Sequence, residues 1–213
     1  MYSIVRVEEW EISQHRRCLD ISDKCYYYMT YDSSSDVREN QQKQIISNIK
    51  ISKEKLIETP KRQYFKDQGI KMASEWLINT IDKYPVLKEY MWIPAQSSKE
   101  KNDEFYDDRL LRILVLVKNK ISDFNFYDAL SAKETVEKSR ESNNRDIQYK
   151  LNNIKIDMDF INHLSAKKIA FFDDVITTGS TFKAAQLKIK KIDNDIEVIG
   201  IFLAKAVNNN YQG

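Results

Sequence analysis

The chain has 213 residues, of which 42% are hydrophobic and 31% are charged, and its formal net charge at pH 7 is +2. This composition is typical of a folded domain with one sizeable core and excludes a largely disordered chain. The near balance of charges gives no reason by itself to expect a nucleic-acid-binding protein. No apolar run approaches the roughly 18 residues of a membrane span, and the charged residues Arg6, Glu8 and Glu9 argue against a signal peptide. We therefore expect a cytoplasmic protein that does not enter a membrane.

Residues 1–60 are predicted to form a strand-rich N-terminal segment, separate from a core over residues 61–213. Two stretches in it, "YSIVRV" and "KCYYYMTY", have the composition of strands. The second stretch supplies a dense group of tyrosines, Tyr26, Tyr27, Tyr28 and Tyr31. This group is explained either by a sheet face packed on the rest of the domain or by a lid over a planar ligand.

The two cysteines, Cys18 and Cys25, are separated by six residues, and His15 is the only histidine near them. This is not the spacing of a zinc knuckle or a zinc ribbon. Two cysteines in a chain of this size suit a reducing compartment. We interpret both as ordinary thiols.

The middle of the chain begins with a predicted helix over residues 61–84. Its apolar residues recur at steps of three and four, and Pro85 is expected to end it. Residues 90–94, "YMWIP", then predict a short buried strand, followed by a polar loop. A helix followed by a buried strand is typical of an α/β protein.

A second amphipathic helix is predicted over residues 105–116, and residues 125–130, "NFYDAL", are a candidate strand. Residues 131–153 are highly charged and contain few apolar side chains, which indicates a flexible excursion rather than core. The apolar side chains of the second helix that we expect to point inward are Leu110, Leu111, Leu114 and Val115.

The last third of the chain has the clearest order of elements. A strand over residues 167–174 leads into a Ser/Thr/Gly turn, a helix over 182–192 and a continuous apolar run over 197–207. Strand, turn, helix and strand form a βαβ unit, so we predict an α/β fold with a mostly parallel central sheet flanked by helices. The helix offers four apolar side chains for packing, Ala184, Ala185, Leu187 and Ile192.

The turn in this unit has the composition of a phosphate site. It lies at the carboxyl end of a predicted strand and at the start of a helix, where free backbone N–H groups and the helix dipole attract anions. Two aspartates, Asp173 and Asp174, precede the turn and would repel a phosphate, but carboxylates accept hydrogen bonds from a vicinal diol. Together these features predict a ribose 5-phosphate unit as the ligand. The turn consists of Thr177, Thr178, Gly179, Ser180 and Thr181.

The stretch "IAFFDDVITTGST", Ile169–Thr181, resembles the phosphoribosyl-pyrophosphate (PRPP) binding motif of type I phosphoribosyltransferases. The resemblance implies that Asp173 and Asp174 are catalytic residues that hold the ribose 2- and 3-hydroxyls. It implies that the five turn residues, 177–181, bind the 5-phosphate. It also implies Mg²⁺ as a cofactor, held mainly by PRPP and water rather than by a protein metal site.

A pyrophosphate loop is expected directly after the strand at residues 90–94. The loop resembles the "P-V-P-x-S" segment of the ComF-like, competence-associated branch of the family, although Ala95 and Gln96 depart from that segment. A solvated loop is the alternative explanation. The proposed pyrophosphate ligands are Gln96, Ser97, Ser98 and Lys99.

The charged stretch over residues 131–153 falls where the family has a mobile catalytic loop. The resemblance assigns Lys138 and Arg140 as catalytic residues, and Arg145 could join them in neutralising the pyrophosphate as it leaves. A solvated run of charges explains the same composition equally well.

Three functions from different classes stay open at this stage. The first is a phosphoribosyltransferase that uses a nucleobase or a related nucleophile, with base selectivity supplied by residues 1–60 acting as a hood. The second is a PRPP- or nucleotide-sensing protein without turnover. The third is a ComF-like accessory protein in DNA uptake or processing, which the modest net charge supports only weakly. A homodimer is a further candidate arrangement.

Overall fold

The computed structural model of the protein describes residues 3–14, 18–34, 36, 40–134, 147–157, 159–160, 164 and 167–207. Over these ranges the chain is an α/β protein with a mixed five-stranded sheet flanked by helices. Among the described helices, none is long and apolar enough to cross a membrane. In chain order the elements are β1 Val5–Arg6, α1 Glu9–Gln14, β2 Lys24–Asp32, α2 Gln41–Ile49, α3 Lys53–Glu58, α4 Arg62–Lys83, a 3₁₀ turn Pro85–Glu89, β3 Met91–Pro94, α5 Arg109–Lys118, β4 Leu130–Ala132, α6 Ile147–Asn153, β5 Ile154–Ile156, β6 Lys168–Ile176, α7 Ser180–Ile192 and β7 Glu197–Val207.

The main sheet has the strand order β1-β2-β7-β6-β3. Strands β2, β7, β6 and β3 are parallel, and only the short β1 is antiparallel to its neighbour β2. The expectation of a mostly parallel sheet is therefore confirmed. The long apolar strand β7 lies in the middle, where both faces are covered, which is why its sequence lacks an alternation of polar and apolar residues.

Helix α4 shows why the predicted helical period was reliable. Its buried apolar side chains recur at three- and four-residue steps, and the helix packs against α2 and α5. Gly69 permits the contact with α2, because a Cβ at this position would lie only 2.9 Å from Cγ1 of Ile49. The buried positions of this stripe include Ile70, Ala73, Leu77 and Ile81.

The N-terminal segment differs from the expectation of a hood apart from the core. Strand β2 pairs with β7 over most of its length and so belongs to the central sheet. The side chains of Tyr27 and Tyr28 are buried in the same hydrophobic core as Trp92 and Phe172. Tyr27 and Tyr28 therefore pack against the two faces of the sheet and do not form a lid, because parallel pairing with β7 directs successive side chains into the layers on either side of the sheet.

Helix α5 begins four residues later than predicted, at Arg109. Residues 101–105 form turns instead, and the backbone N–H of Phe105 donates to the side chain of Asp103. Val115 was expected inside and is 41% exposed, whereas Ile113 and Val117 are buried. The inward face of the helix is thus rotated relative to the sequence-based prediction.

The stretch over residues 125–130 is not a strand, which corrects another expectation. Phe126 forms a single parallel bridge with Trp92, and the strand β4 begins only at Leu130. Part of the expected flexible excursion over 131–153 is regular structure, because β4 pairs with β5 in a separate two-stranded sheet and α6 packs against α7. Residues 135–146 of this stretch lie outside the described residues.

Helix α7 begins at Ser180, so the last two residues of the predicted turn already belong to the helix. Ala184 and Ala185 are buried as expected, but Leu187 and Ile192 are about two-fifths exposed, at 42% and 40%. Phe182 and Ile189 fill the core positions in their place. The error arose because several apolar residues in this helix fit more than one face.

Candidate functional site

The carboxyl ends of β3 and β6 lie side by side, because these two strands are parallel neighbours. The loops that follow them face one cavity of about 430 Å³. The cavity therefore joins the two segments that the sequence suggested separately as pyrophosphate and ribose sites. Of the predicted site residues, those that line it are Gln96, Ser97, Ser98, Lys99, Asp173, Asp174, Thr177 and Thr181.

The Ser/Thr/Gly turn is shaped by a left-handed glycine. Gly179 has φ +80° and ψ 2°, a conformation that costs other residues energy. The hydroxyl of Thr178 donates to Ser180 Oγ over 3.2 Å, so these two side chains bond within the turn and do not line the cavity. Thr181 lines the cavity and accepts a hydrogen bond from Lys150 Nζ at 2.5 Å.

Replacing Gly179 with alanine is expected to lower the free energy of unfolding by about 2 kcal/mol or more. Part of the loss, about 1 kcal/mol, comes from the left-handed backbone. The rest comes from a clash, because a Cβ would lie 2.5 Å from Cδ2 of Leu19. Urea denaturation of the variant measures the total.

The double variant Gly179→Ala/Leu19→Ala separates these two causes. Removing the Leu19 side chain relieves the clash but leaves the backbone cost, and it creates a cavity of its own. A double-mutant cycle should therefore show a favourable coupling between the two changes. Strict additivity would contradict the proposed clash.

The two aspartates of the motif have different surroundings. Asp174 is buried and receives hydrogen bonds from Arg109 through Nε at 2.9 Å and Nη2 at 2.6 Å, and Lys50 Nζ lies 3.0 Å from its other oxygen. Asp173 is half-buried, and its Oδ1 accepts the backbone N–H of Asp174 at 2.8 Å. Asp173 lines the cavity and forms no ion pair with any described residue, although the positive charges of Lys50 and Arg109 act on its pKa.

Electrostatics drives the pKa values of these neighbouring carboxyls apart. Burial and the adjacent Asp174 raise the pKa of Asp173 above its usual range. Burial acts on Asp174 in the same sense, but Arg109 and Lys50 outweigh it and hold the pKa of Asp174 below its usual range. At neutral pH Asp174 is therefore a firmly held anion, and Asp173 is the member of the pair that more readily takes a proton or a hydroxyl donor.

Arg109 continues the network to a second, partly buried acid. Its Nη1 contacts Asp107, and Asp107 also pairs with Lys66 Nζ at 2.9 Å. Lys66 is itself 2% exposed and donates to the backbone carbonyl of Ile51. The result is a chain of alternating charges, Lys66, Asp107, Arg109, Asp174 and Lys50, which joins α4, α5, β6 and the end of α2.

Sequence reasoning missed this network entirely. Residues 107 and 108 are a second pair of adjacent aspartates, and Arg109 follows them directly. This repeat of the Asp173–Asp174 pair was a signal that the sequence offered. It was overlooked because residues 105–116 were predicted to be one amphipathic helix. Nothing in the local sequence marks Lys50, which reaches the site from another part of the chain.

The proposed pyrophosphate loop contains an unsatisfied polar atom. Oε1 of Gln96 is buried and has no hydrogen-bond partner among the described residues. Lys99 contributes its charge to the cavity wall, and its Nζ lies 6.0 Å from the ring centroid of Phe105. A buried amide oxygen without a hydrogen-bond partner costs free energy, which a ligand that donates to it could recover.

The predicted catalytic side chains Lys138 and Arg140, together with Arg145, lie outside the described residues. The described residues contain no group of three or more His, Cys, Asp or Glu side chains placed to hold a metal ion. Carboxylate oxygens such as those of Asp173 are nevertheless ligands of the kind that Mg²⁺ prefers.

Comparison of the chain with protein-family models finds no match, and comparison with curated proteins finds none either. The resemblance to type I phosphoribosyltransferases therefore rests on Ile169–Thr181 and on the elements around this motif. An α/β fold alone does not define an activity. What the cavity binds stays a prediction.

Proposed function

We propose that the protein binds PRPP in the cavity between the carboxyl ends of β3 and β6 and transfers its 5-phosphoribosyl group to a nucleobase or related nucleophile. The bond from C1 of the ribose to pyrophosphate breaks as the bond to the nucleophile forms, and pyrophosphate leaves. The observation that carries the proposal is the meeting of residues 96–99 with Asp173, Asp174, Thr177 and Thr181 in one cavity. With this activity the protein would be a phosphoribosyltransferase of the type I class.

Individual side chains of the cavity suit a ligand with a diol at its centre and phosphates on both sides, although acids outnumber bases in the lining by five to three. Asp173 is available to accept hydrogen bonds from the ribose hydroxyls, since it forms no ion pair with any described residue. Lys99, Lys50 and Arg109 line the same cavity and would attract the pyrophosphate. Thr177 and Thr181 lie on the side of the Ser/Thr/Gly turn, where the 5-phosphate would bind.

This proposal gives the two aspartates separate roles, although the motif resemblance treats them as a pair. Asp173 orients the ribose. Asp174 fixes Arg109 and Lys50 at the cavity wall through the contacts described above. Mg²⁺, when bound with PRPP, would supply positive charge to the leaving pyrophosphate.

The acceptor would enter beside Phe105 and Tyr106, the two aromatic residues of the cavity lining. Aromatic rings can stack on a flat base. Residues from the N-terminal part of the chain, Lys50, Ser52 and Glu54, also line the cavity. That residues 1–60 select the base therefore stays a prediction. Within this part of the chain, the residues that would contact the base lie in the segment after α2 and not among the tyrosines of β2.

The proposal is tested by ³¹P NMR of PRPP with Mg²⁺ and the purified protein, with and without a panel of nucleobases. Base-dependent release of pyrophosphate is the expected result and would identify the acceptor. The experiment should detect binding with a dissociation constant of about 1 mM, which corresponds to ~4 kcal/mol of binding free energy. PRPP signals that stay unperturbed under these conditions would overturn the proposal.

A PRPP- or nucleotide-sensing protein without turnover is the second candidate. It is favoured by the ion pairs of Asp174, because Arg109 and Lys50 occupy hydrogen-bonding positions that ribose hydroxyls would otherwise use. The same NMR experiment distinguishes the two, since shifted or broadened PRPP signals without pyrophosphate release would indicate binding alone. A ComF-like role in DNA processing would additionally require a DNA affinity that falls with salt.

A further inference from the structure

A second cavity of about 330 Å³ lies between α2, α3 and the first turn of α4. Four of the side chains that line it are basic, Lys43, Lys50, Lys55 and Arg62. Its lining contains no carboxylate, and the acids of the neighbouring helix α3, Glu54 and Glu58, are not part of it. Like charges that share a concave surface repel one another unless an anion lies between them.

Two of the four charges already have partners in the structure. Lys50 pairs with Asp174 at 3.0 Å, and Lys43 Nζ donates to the backbone carbonyl of Ser33 at 2.7 Å. Lys55 and Arg62 form no ion pair with any described residue. The cavity therefore carries about two positive charges without local compensation, which matches the charge of a phosphate monoester at neutral pH, roughly −1.5 to −2.

We propose that this basic cavity is a second phosphate site that binds a small phosphate monoester. Arg62 and Lys55 would hold the phosphate group, with a planar guanidinium from one side and an ammonium from the other. Two isoleucines, Ile46 and Ile51, form an apolar wall and are buried, so the organic part of the ester would pack against them. The volume is at the lower end of the range for small-molecule sites, about 300–1,000 Å³.

The size of the cavity favours a single small ester over a nucleic acid strand. A strand needs a groove that follows several phosphates, with cations spaced along it. Here the uncompensated charges, Lys55 and Arg62, line one small open depression. Their number suits one phosphate group.

The new site adjoins the proposed PRPP cavity but does not depend on it. Lys50 lines both cavities and contacts Asp174 of the motif. The basic cavity would bind a phosphate ester even if the larger cavity bound no PRPP. The experiment must therefore report which of the two sites is occupied.

Backbone ¹⁵N–¹H NMR spectra give this resolution. Inorganic phosphate and glycerol 3-phosphate are titrated into the protein at constant ionic strength, maintained with sodium chloride. We expect saturable shifts of the amides of Ser47, Ile51 and Lys55, in addition to any at residues 177–181. In the variant Lys55→Gln/Arg62→Gln the first group of shifts should require roughly tenfold more ligand, since the variant lacks the two positive charges that would hold the phosphate.

The matched control is Lys71→Gln/Lys120→Gln, which removes the same charge from exposed positions outside the cavity. This control should bind both probes as the unmodified protein does. Both altered side chains of the test variant are exposed, so a dispersed spectrum is expected and shows that the variant is folded. Three results would each overturn the proposal. They are shifts confined to residues 177–181, equal ligand affinity of the test and control variants, and an affinity that rises with the length of a thymidine oligonucleotide.

Discussion

The variant Arg109→Gln is expected to have a free energy of unfolding about 3 kcal/mol lower than the unmodified protein. Arg109 is the shared partner of two acids, Asp174 and Asp107, and Asp174 is 3% exposed. Removing one partner of a buried ion pair costs about 3–5 kcal/mol, because the other charge is left in a medium of low polarity. The lower end applies here, since Lys50 and Lys66 still compensate the two acids.

Arg112 provides a matched control on the same helix. It pairs with Asp67 at 2.6 Å, but both side chains are well exposed, at 37% and 45%. Exposed pairs contribute between about 0 and 1 kcal/mol, so Arg112→Gln should change stability by less than about 1 kcal/mol. Urea denaturation of both variants at pH 7 makes the comparison, and equal losses would contradict the special position of Arg109.

The variant Asp173→Asn is expected to bind PRPP at least roughly 100-fold more weakly, while it stays folded. Hydrogen bonds to a charged acceptor contribute about 1.5–3 kcal/mol each, and two ribose hydroxyls would lose theirs. The amide oxygen of asparagine can still accept the backbone N–H of Asp174, so the local backbone should be preserved. Titration of PRPP followed by ³¹P NMR or calorimetry measures the change.

Asp108→Asn controls for a general change in the charge of the cavity. Asp108 lines the same cavity, and the proposal gives it no contact with the ribose. PRPP is strongly anionic, so loss of a negative charge by itself would tighten binding. Weakened binding in Asp173→Asn together with unchanged or tighter binding in Asp108→Asn would support a specific role for Asp173. Equal effects in the two variants would contradict it.

The same substitution at Asp173 should affect stability in a pH-dependent way. The pKa of Asp173 is raised in the folded protein, so the folded state binds more protons than the unfolded state between pH 4 and that raised value. The unmodified protein loses this contribution as the pH rises through the window, and Asp173→Asn does not. The variant should therefore gain stability relative to the unmodified protein, on the order of 1 kcal/mol between pH 4 and pH 7.

A loss of PRPP binding combined with a gain in stability is characteristic of a residue that serves a ligand and not the fold. Asp174 should behave in the opposite sense, because its pKa is lowered by Arg109 and Lys50. Its contribution to stability is present above the usual carboxyl pKa and is lost as the pH falls through its lowered folded value. The two neighbours in the motif are thus distinguished by experiment as well as by their contacts.

Local patterns in the sequence were sufficient for the elements that carry strong periodicity. Residues 61–84, 90–94 and 197–207 were predicted as helix, strand and strand, and α4, β3 and β7 agree with them to within a few residues. These predictions succeeded because burial on one face or both faces leaves a visible spacing of apolar residues. The Ser/Thr/Gly turn was equally visible, because Gly179 is needed for its positive φ.

Weaker patterns failed where several faces were equally apolar. The inward face of α5 and the packing of Leu187 and Ile192 could not be chosen from spacing alone, since the sheet beneath each helix determines which face is covered. The place of β2 inside the main sheet was likewise invisible, because strand pairing joins residues far apart in the chain. Lys24 lies opposite Ile199 in that pairing.

The sequence by itself determined the mostly parallel α/β fold and the position of the candidate ligand motif, because both depend on residues that are neighbours along the chain. Only the tertiary structure decided which charged side chains surround the two aspartates of the motif. It brings Lys50, Arg109 and Asp107 to the aspartates from elements tens of residues away, and it leaves Asp173 without an ion pair among the described residues. Electrostatic energy depends on distance in space and on burial, and neither quantity can be read from the order of residues alone.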